Sequence, residues 1–345
     1  MSQYASQQPS GFVNRIRNVA IVGAGGQVGA FIVAELQKNK EITISAITRE
    51  GSSNPPAAGV QVKNVNYQEI STIVDALKGQ DALIITLSVA APPGTQEILV
   101  KAAAEAGVPW VLPNEFGGDD HNKQAGDEAM IAVHKRETRK QIEELGVSKW
   151  IGIACSFWYE WSLSGPGLYG IDIAQREVIF FDDGNTKLNT STWVQTGRGV
   201  ASLLSLPIYP EDADDKSTTI SSYANSFVRV SSWALSQREM FDAVKRVTGT
   251  SDSDWNISSV GAKQRYEESK KKLMEGDQRA FAHMMYTRYF FGDDAGYFEK
   301  THGLDNDKLG LPKEDLDEFT KKAVEMANDN YVGKFMGRLS SINPR

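Results

Sequence analysis

Seven residues, Gly23-Ala24-Gly25-Gly26-Gln27-Val28-Gly29, follow a short apolar run, Asn18–Val22, and lead into a segment with apolar residues at helical spacing, Val28, Ile32, Val33 and Leu36. Glycines in such a turn let the backbone approach a ligand with no Cβ in the way. The N-terminus of the following helix presents free N–H groups and partial positive charge. A glycine pattern alone says little; between a strand and a helix, at the head of further βα units, it gains its meaning. The chemistry expected of Gly23, Gly25, Gly26, Gln27, Val28 and Gly29 is the binding of a dinucleotide pyrophosphate.

The next strand ends in Ile47-Thr48-Arg49-Glu50. A site built for NAD places a carboxylate there, about 20 residues after the loop, on the ribose 2′-hydroxyl. Arg49 brings a guanidinium suited to a 2′-phosphate, so NADP(H) is the expected cofactor. Glu50, one residue later, is the other claimant on the ribose.

These residues need a scaffold, and the chain predicts one. Strands are expected at 42–47, 61–65, 82–87, 110–112 and 150–154, and helices at 27–38, 70–77, 98–106 and 129–145. Ala82–Leu87 is continuously apolar, as in a parallel strand covered on both faces. Strict β-α alternation from 18 to 155 predicts a Rossmann-type, doubly wound α/β sheet with right-handed crossovers. After Cys155 the rhythm breaks: 178–185 reads as a strand entering a hairpin, 227–230 as a further strand, and 197–206, 236–248, 263–275 and 314–328 as helices. The expected organisation is a disordered leader over 1–14 and an NADP-binding domain over 15–155. Residues 190–207 and 226–231 return to that domain, and a smaller, mostly helical substrate-binding domain is made of 156–189 and 232–345.

The 345 residues, 41% hydrophobic and 23% charged, can bury a full core. A net charge of −7 speaks against nucleic-acid binding, which needs excess Lys and Arg. The first dozen residues lack the basic and apolar regions of a secretory signal, and no apolar run reaches the ~20 residues of a membrane span. The single cysteine, Cys155, excludes an intramolecular disulfide and suits a reducing compartment, so a cytoplasmic protein is expected. His121, His283 and His302 show no metal-ligand spacing, and no metal is expected. His134 adjoins Lys135, yet helix neighbours point about 100° apart, so the two do not face one ligand.

Several longer segments together resemble the isoflavone reductase-like branch of the NmrA-type atypical short-chain dehydrogenases. They are GAGGQVG, the strand Ala82–Leu87, QEILVKAAAEAGVPWVLPNEFG (Gln96–Gly117), and Lys135-Arg136-Glu137-Thr138-Arg139-Lys140-Gln141-Ile142-Glu143 with Gly146-Val147 after it. Pro113-Asn114-Glu115-Phe116-Gly117 matches the family's Pro-Ser-Glu-Phe-Gly with Asn114 in place of serine, and the family's catalytic lysine falls on Lys135. The C-terminal third is closer to fungal relatives than to the plant enzymes. The resemblance implies a Rossmann domain with a small substrate domain, NADPH as cofactor, and a monomer or homodimer. It implies Thr86, Leu87, Ser88, Asn114, Glu115, Phe116 and Lys135 as cofactor contacts. The reaction it implies is hydride transfer to a phenylpropanoid- or isoflavonoid-like substrate, with Lys135 handling a proton. A lysine in a closed apolar cleft is disfavoured as ammonium, which suits that role.

The family also holds cofactor-sensing regulators that bind NADP(H) without turnover, and an epimerase or dehydratase using the cofactor transiently is a third class. Tyr266-Glu267-Glu268-Ser269-Lys270 spells the Tyr-x-x-x-Lys of other short-chain dehydrogenases, but lies far downstream on a charged helix. Thr192-Trp193-Val194-Gln195-Thr196-Gly197-Arg198 stands where relatives often carry an aspartate. Phe157, Trp158, Tyr159 and Trp161, with the later MMYTRYFF (284–291), are the expected walls of a flat, apolar substrate pocket at the carboxyl end of a strand.

Overall fold

In the computed structural model, which describes residues 3–49, 51, 54–88 and 91–342, the first half is a run of βα units. They are β1 (Asn18–Val22), α1 (Gln27–Leu36), β2 (Thr43–Arg49), β3 (Gln61–Val65), α2 (Ile70–Leu77), β4 (Ala82–Ile85), α3 (Thr95–Glu105), β5 (Trp110–Leu112), α4 (Lys123–Glu128), α5 (Ala132–Leu145) and β6 (Lys149–Ala154). The chain continues through β7 (Phe157–Trp158), α6 (Tyr159–Ser164), β8 (Ile171–Asp172), β9 (Glu177–Phe181), β10 (Lys187–Ser191), α7 (Trp193–Leu204), β11 (Ser226–Arg229) and β12 (Trp233–Ser236). It ends with α8 (Gln237–Thr248), β13 (Asn256–Val260), α9 (Ala262–Met274), α10 (Ala280–Arg288), α11 (Phe298–His302), α12 (Leu316–Asn328) and α13 (Tyr331–Ile342).

Seven strands form one parallel sheet in the order β11-β6-β5-β4-β1-β2-β3, the doubly wound Rossmann arrangement. Strand residues point to alternate faces, and the burial follows that period of two. Val19, Ile21, Ile84 and Leu112 join the core under α1 and α7, whereas Ala20, Val22, Leu83, Ile85 and Val111 join the core under α2, α3 and α5. Helices α1 and α7 lie so close that a Cβ on Gly197 would stand 2.6 Å from the Phe31 carbonyl oxygen.

A third core gathers the aromatic residues after Cys155 with α8, α10 and α12. Two small sheets accompany these helices, β12-β10-β7 and β13-β9-β8. The hairpin expected at 178–185 does not form: β9 pairs with β8 and β13, and β10 joins the other sheet. The helix expected over 129–145 is two helices, because Met130 adopts a left-handed φ of 58° between α4 and α5. Residues 3–14 are not a free leader. The N–H of Ala5 donates to the Pro210 carbonyl at 2.9 Å, and Asn14 is hydrogen-bonded through its side chain to Tyr209 on both sides, at 2.8 Å each. No helix among the described residues is long and apolar enough to cross a membrane.

Candidate functional site

The glycine turn sits at the carboxyl end of β1 and is held by its own backbone. Gly23 has φ 81°, and its C=O accepts from the Gly26 N–H at 2.8 Å. A Cβ on Gly23 would stand 2.2 Å from the Thr86 carbonyl oxygen, and one on Gly29 would stand 2.1 Å from the Gly23 oxygen. Thr86 is buried, with its hydroxyl donating to the Val22 carbonyl at 2.7 Å, so the ends of β1 and β4 and the start of α1 are locked together. Gly26 is the N-cap of α1 and has no side chain to cap it, and the first turn carries no acidic residue. Gln27 keeps a buried Nε2 without a partner. An uncapped helix N-terminus with an orphaned donor beside it fits a pyrophosphate.

Arg49 ends β2 in register with Val65, exposed at the same edge of the sheet. Burial pushes the Tyr67 phenol up, and the Arg49 charge opposes it. Glu50, the rival for the ribose, lies outside the described residues.

From the turn a ledge of residues runs along the strand ends. Asn114 donates from Nδ2 to the Leu87 carbonyl at 3.1 Å, and its N–H donates to Gln96 Oε1 at 2.8 Å. Ser88 follows, exposed. Phe116 packs half-buried on the sheet core, and the Gly117 carbonyl accepts from the N–H groups of Cys155 (3.0 Å) and Ser156 (2.9 Å). Lys135, half-buried on α5, reaches this ledge: a Cβ on Gly117 would stand 3.2 Å from its Nζ.

Lys135 lines a crevice with Glu115, Asp119, Asp120, His121 and Tyr289. The surroundings expected of the lysine, a closed apolar cleft, are instead acidic and hydrogen-bonded, because the loop after β5 turns its polar residues toward α5. Glu115 is buried and pairs with Arg139 at 2.9 Å, leaving Oε2 without a partner. Burial raises its carboxyl above the ordinary range, while the charges of Lys135 and Arg139 pull it down. Burial also pushes the Cys155 thiol up to about 11, as befits an inert core residue, and Tyr289 to about 12.

The expected aromatic wall is split between two cores. Tyr159 is fully buried and shares a hydrogen bond with Thr320 at 2.7 Å; Phe157 stacks on Tyr286 at 4.1 Å in the same core. Trp161 bridges the two cores and meets Tyr331 and Phe335 edge-on. Trp158 alone of the four packs only on the sheet side, its ring centroid 6.4 Å from that of Trp193. Trp193 in turn stacks on Phe31 of α1 at 5.7 Å and keeps a buried Nε1 unpartnered.

Sequence reasoning missed Trp193, although Thr192-x-x-Gln195 spells a helix start and the Thr192 hydroxyl accepts the Gln195 N–H at 2.8 Å. It also missed Glu160, a buried carboxyl pushed up to about 7 chiefly by burial. Of the other residues weighed, His134 is exposed beside Glu137, and Tyr266 donates its hydroxyl to the Glu128 carbonyl, away from Lys135. The histidines need a correction. They have no ligand spacing along the chain, yet the fold brings His121 and His302 to Asp119, with the three ligand atoms within 4.8 Å of one another.

The NmrA-like family matches residues 16–163. The oxidoreductase aprR of Aspergillus flavus is 27% identical over 316 residues, covering 87% of this chain and 96% of that relative. Among solved structures, the pinoresinol-lariciresinol and phenylcoumaran benzylic ether reductases superpose with a TM-score of 0.69 at 20% identity, covering 90% of this chain and 100% of theirs. The binary complex of leucoanthocyanidin reductase with NADPH from Vitis vinifera superposes with a TM-score of 0.66 at 17% identity, covering 89% and 99%. At these identities the structural likeness speaks for the fold. Residues 16–163, which carry the glycine turn, the Pro-Asn-Glu-Phe-Gly ledge and Lys135 in one arrangement, match the NmrA-like family, and the chain is similar over most of its length to an oxidoreductase.

Proposed function

We propose that this chain is an NADPH-dependent reductase of a small aromatic or conjugated substrate, with Lys135 as its proton-handling residue. The observation that carries the reading is the continuous ledge from the glycine turn through Thr86, Leu87 and Asn114 to Gly117, with Lys135 over its far end. The relative and the reductases of similar fold support the reaction class, and the NADPH complex supports the cofactor.

In this reading the N–H groups opening α1 hold the pyrophosphate and Arg49 holds the 2′-phosphate. The bound cofactor supplies a hydride from C4 of its nicotinamide. Lys135 donates a hydrogen bond or a proton to the substrate oxygen on which charge develops, a role worth roughly 10²–10⁴ in rate. Trp158 and Trp193, neighbouring rings on the sheet side, are the aromatic surface we assign to the substrate, in place of the wider wall of Phe157, Tyr159 and Trp161. The division into an NADP-binding unit, with α7 and β11 returning to it, and a substrate-binding remainder belongs to the same proposal.

The test is NADPH oxidation against a panel of conjugated aromatic carbonyl and allylic compounds, with wild type and Lys135→Ala. Turnover lost in the variant while NADPH still binds supports the reading. Turnover unaffected by the change removes Lys135 from the chemistry, and tight NADPH binding with no turnover across the panel favours a cofactor sensor.

A further inference from the structure

Asp119 and His121 lie in the loop after β5, and His302 closes α11, 181 positions downstream of His121. Asp119 is buried, His121 nearly so, and His302 is 40% exposed at its side chain, so the three form a file from interior to solvent. Among the described residues this is the one place where three such ligand atoms meet.

The hydrogen-bond pattern determines what the inner pair can hold. Nδ1 of His121 stands 2.5 Å from Asp119 Oδ1. When Nδ1 carries no proton, it and Oδ1 are both acceptors. At 2.5 Å the two share a proton; parted to about 3.3 Å, they take a metal ion in its place.

The remaining atom of Asp119 is also accounted for. Its Oδ2 accepts from Arg229 Nε at 2.6 Å. Asp119 therefore has its non-facing oxygen fixed by an outer partner, the arrangement that orients ligands in metal sites. The third donor, His302 Nδ1, is 3.8 Å from Asp119 Oδ2, with the two imidazole centroids 5.1 Å apart.

We propose that Asp119, His121 and His302 form a binding site for one dication of the zinc class, on the wall of the crevice that holds Lys135. Two imidazole nitrogens and one carboxylate oxygen suit Zn²⁺, Co²⁺ or Cu²⁺ and do not suit Ca²⁺ or Mg²⁺, which take mostly oxygen ligands. Ligand atoms around tetrahedral zinc stand about 3.3 Å apart, given Zn–N and Zn–O lengths of about 2.0–2.2 Å. The exposed His302 ring supplies the closing movement, and its open side leaves a fourth position for water. The Arg229 charge beside the carboxylate weakens the site, so micromolar affinity is expected. The proposal does not depend on the reductase reading.

The test titrates the full-length, metal-free protein with Zn²⁺ against a chromophoric chelator, and with Co²⁺ by visible absorption. The expected result is one equivalent at micromolar affinity, tetrahedral Co²⁺ bands, and at least a tenfold loss in His302→Ala, whose exposed site tolerates the change. His121→Asn should abolish the Co²⁺ bands, and His134→Ala should leave binding unchanged. No binding below millimolar, or binding that His302→Ala and His121→Asn leave intact, overturns the proposal and leaves a proton as the cation between Asp119 and His121.

Discussion

A methyl group on Gly117 would stand 3.2 Å from the Lys135 ammonium nitrogen. The main chain of the loop after β5 and the side chain from α5 thus share one small space, and the absence of a Cβ sets where the lysine rests. Gly117→Ala should shift the ammonium by a few tenths of an ångström, since the flexible lysine yields before the backbone does. We expect kcat to fall several-fold while NADPH affinity and melting temperature stay close to wild type. A comparison of kcat, NADPH Kd and Tm checks this; a variant with wild-type kcat would detach Lys135 from the chemistry.

Arg49→Ala should weaken NADPH binding by one to two orders of magnitude, the worth of a charge-assisted hydrogen bond of about 1.5–3 kcal/mol, and leave NADH nearly unaffected. Paired titrations with the two cofactors read the difference. Equal losses for both would mean that Arg49 does not contact a 2′-phosphate.

Arg139 sits behind the crevice, paired with Glu115 at 2.9 Å and Asp120 at 2.6 Å, its guanidinium about 5 Å from the rings of Trp150 and Phe227. Arg139→Ala leaves the Glu115 carboxylate buried and unpaired, and unfolding free energy should drop by about 3–5 kcal/mol. Arg139→Lys should recover only part of this, because an ammonium cannot reproduce the fork that serves two carboxylates. Urea denaturation of the three proteins measures both effects.

Glu160 gives a pH dependence with a definite sign. Its folded-state carboxyl is pushed up to about 7, mainly by burial, from an ordinary value of 4.5. The folded protein therefore holds a proton that the unfolded chain releases, and stability falls as pH rises between those two values. The loss is on the order of 3 kcal/mol at completion. Glu160→Gln should flatten the stability profile from pH 5 to 7 and be relatively more stable at the upper end. A profile as steep as wild type would show that Glu160 is already ionised in the fold.

What was legible in the sequence follows from how local each signal is. The Rossmann half shows itself because its strands are covered on both faces and its helices carry one apolar stripe, so Ala82–Ile85 and the α1 stripe can be recognised from a few neighbours. The C-terminal elements answer to distant partners. Nothing in 177–191 reveals that β9 pairs with β13 some 80 residues later while β10 turns to β12. The split of the aromatic cluster is of the same kind, since Tyr159 is placed by Thr320 and Trp158 by Trp193. At the site, the glycine turn was legible for its local backbone demand. The meeting of Asp119, His121 and His302 was not, because it needs α11 to fold back onto the β5 loop.

The pairing of Ile151 with Ser226, 75 positions later, has a consequence for biogenesis. While the ribosome makes the intervening chain, roughly 4–15 s at ordinary elongation rates, β6 is an open edge with Ile151 and Ile153 behind it. An open apolar edge is a template for other strands. Fragments ending before residue 226 should therefore associate and precipitate, and a chaperone that shields extended segments should raise the yield of the complete protein more than lowering its concentration does.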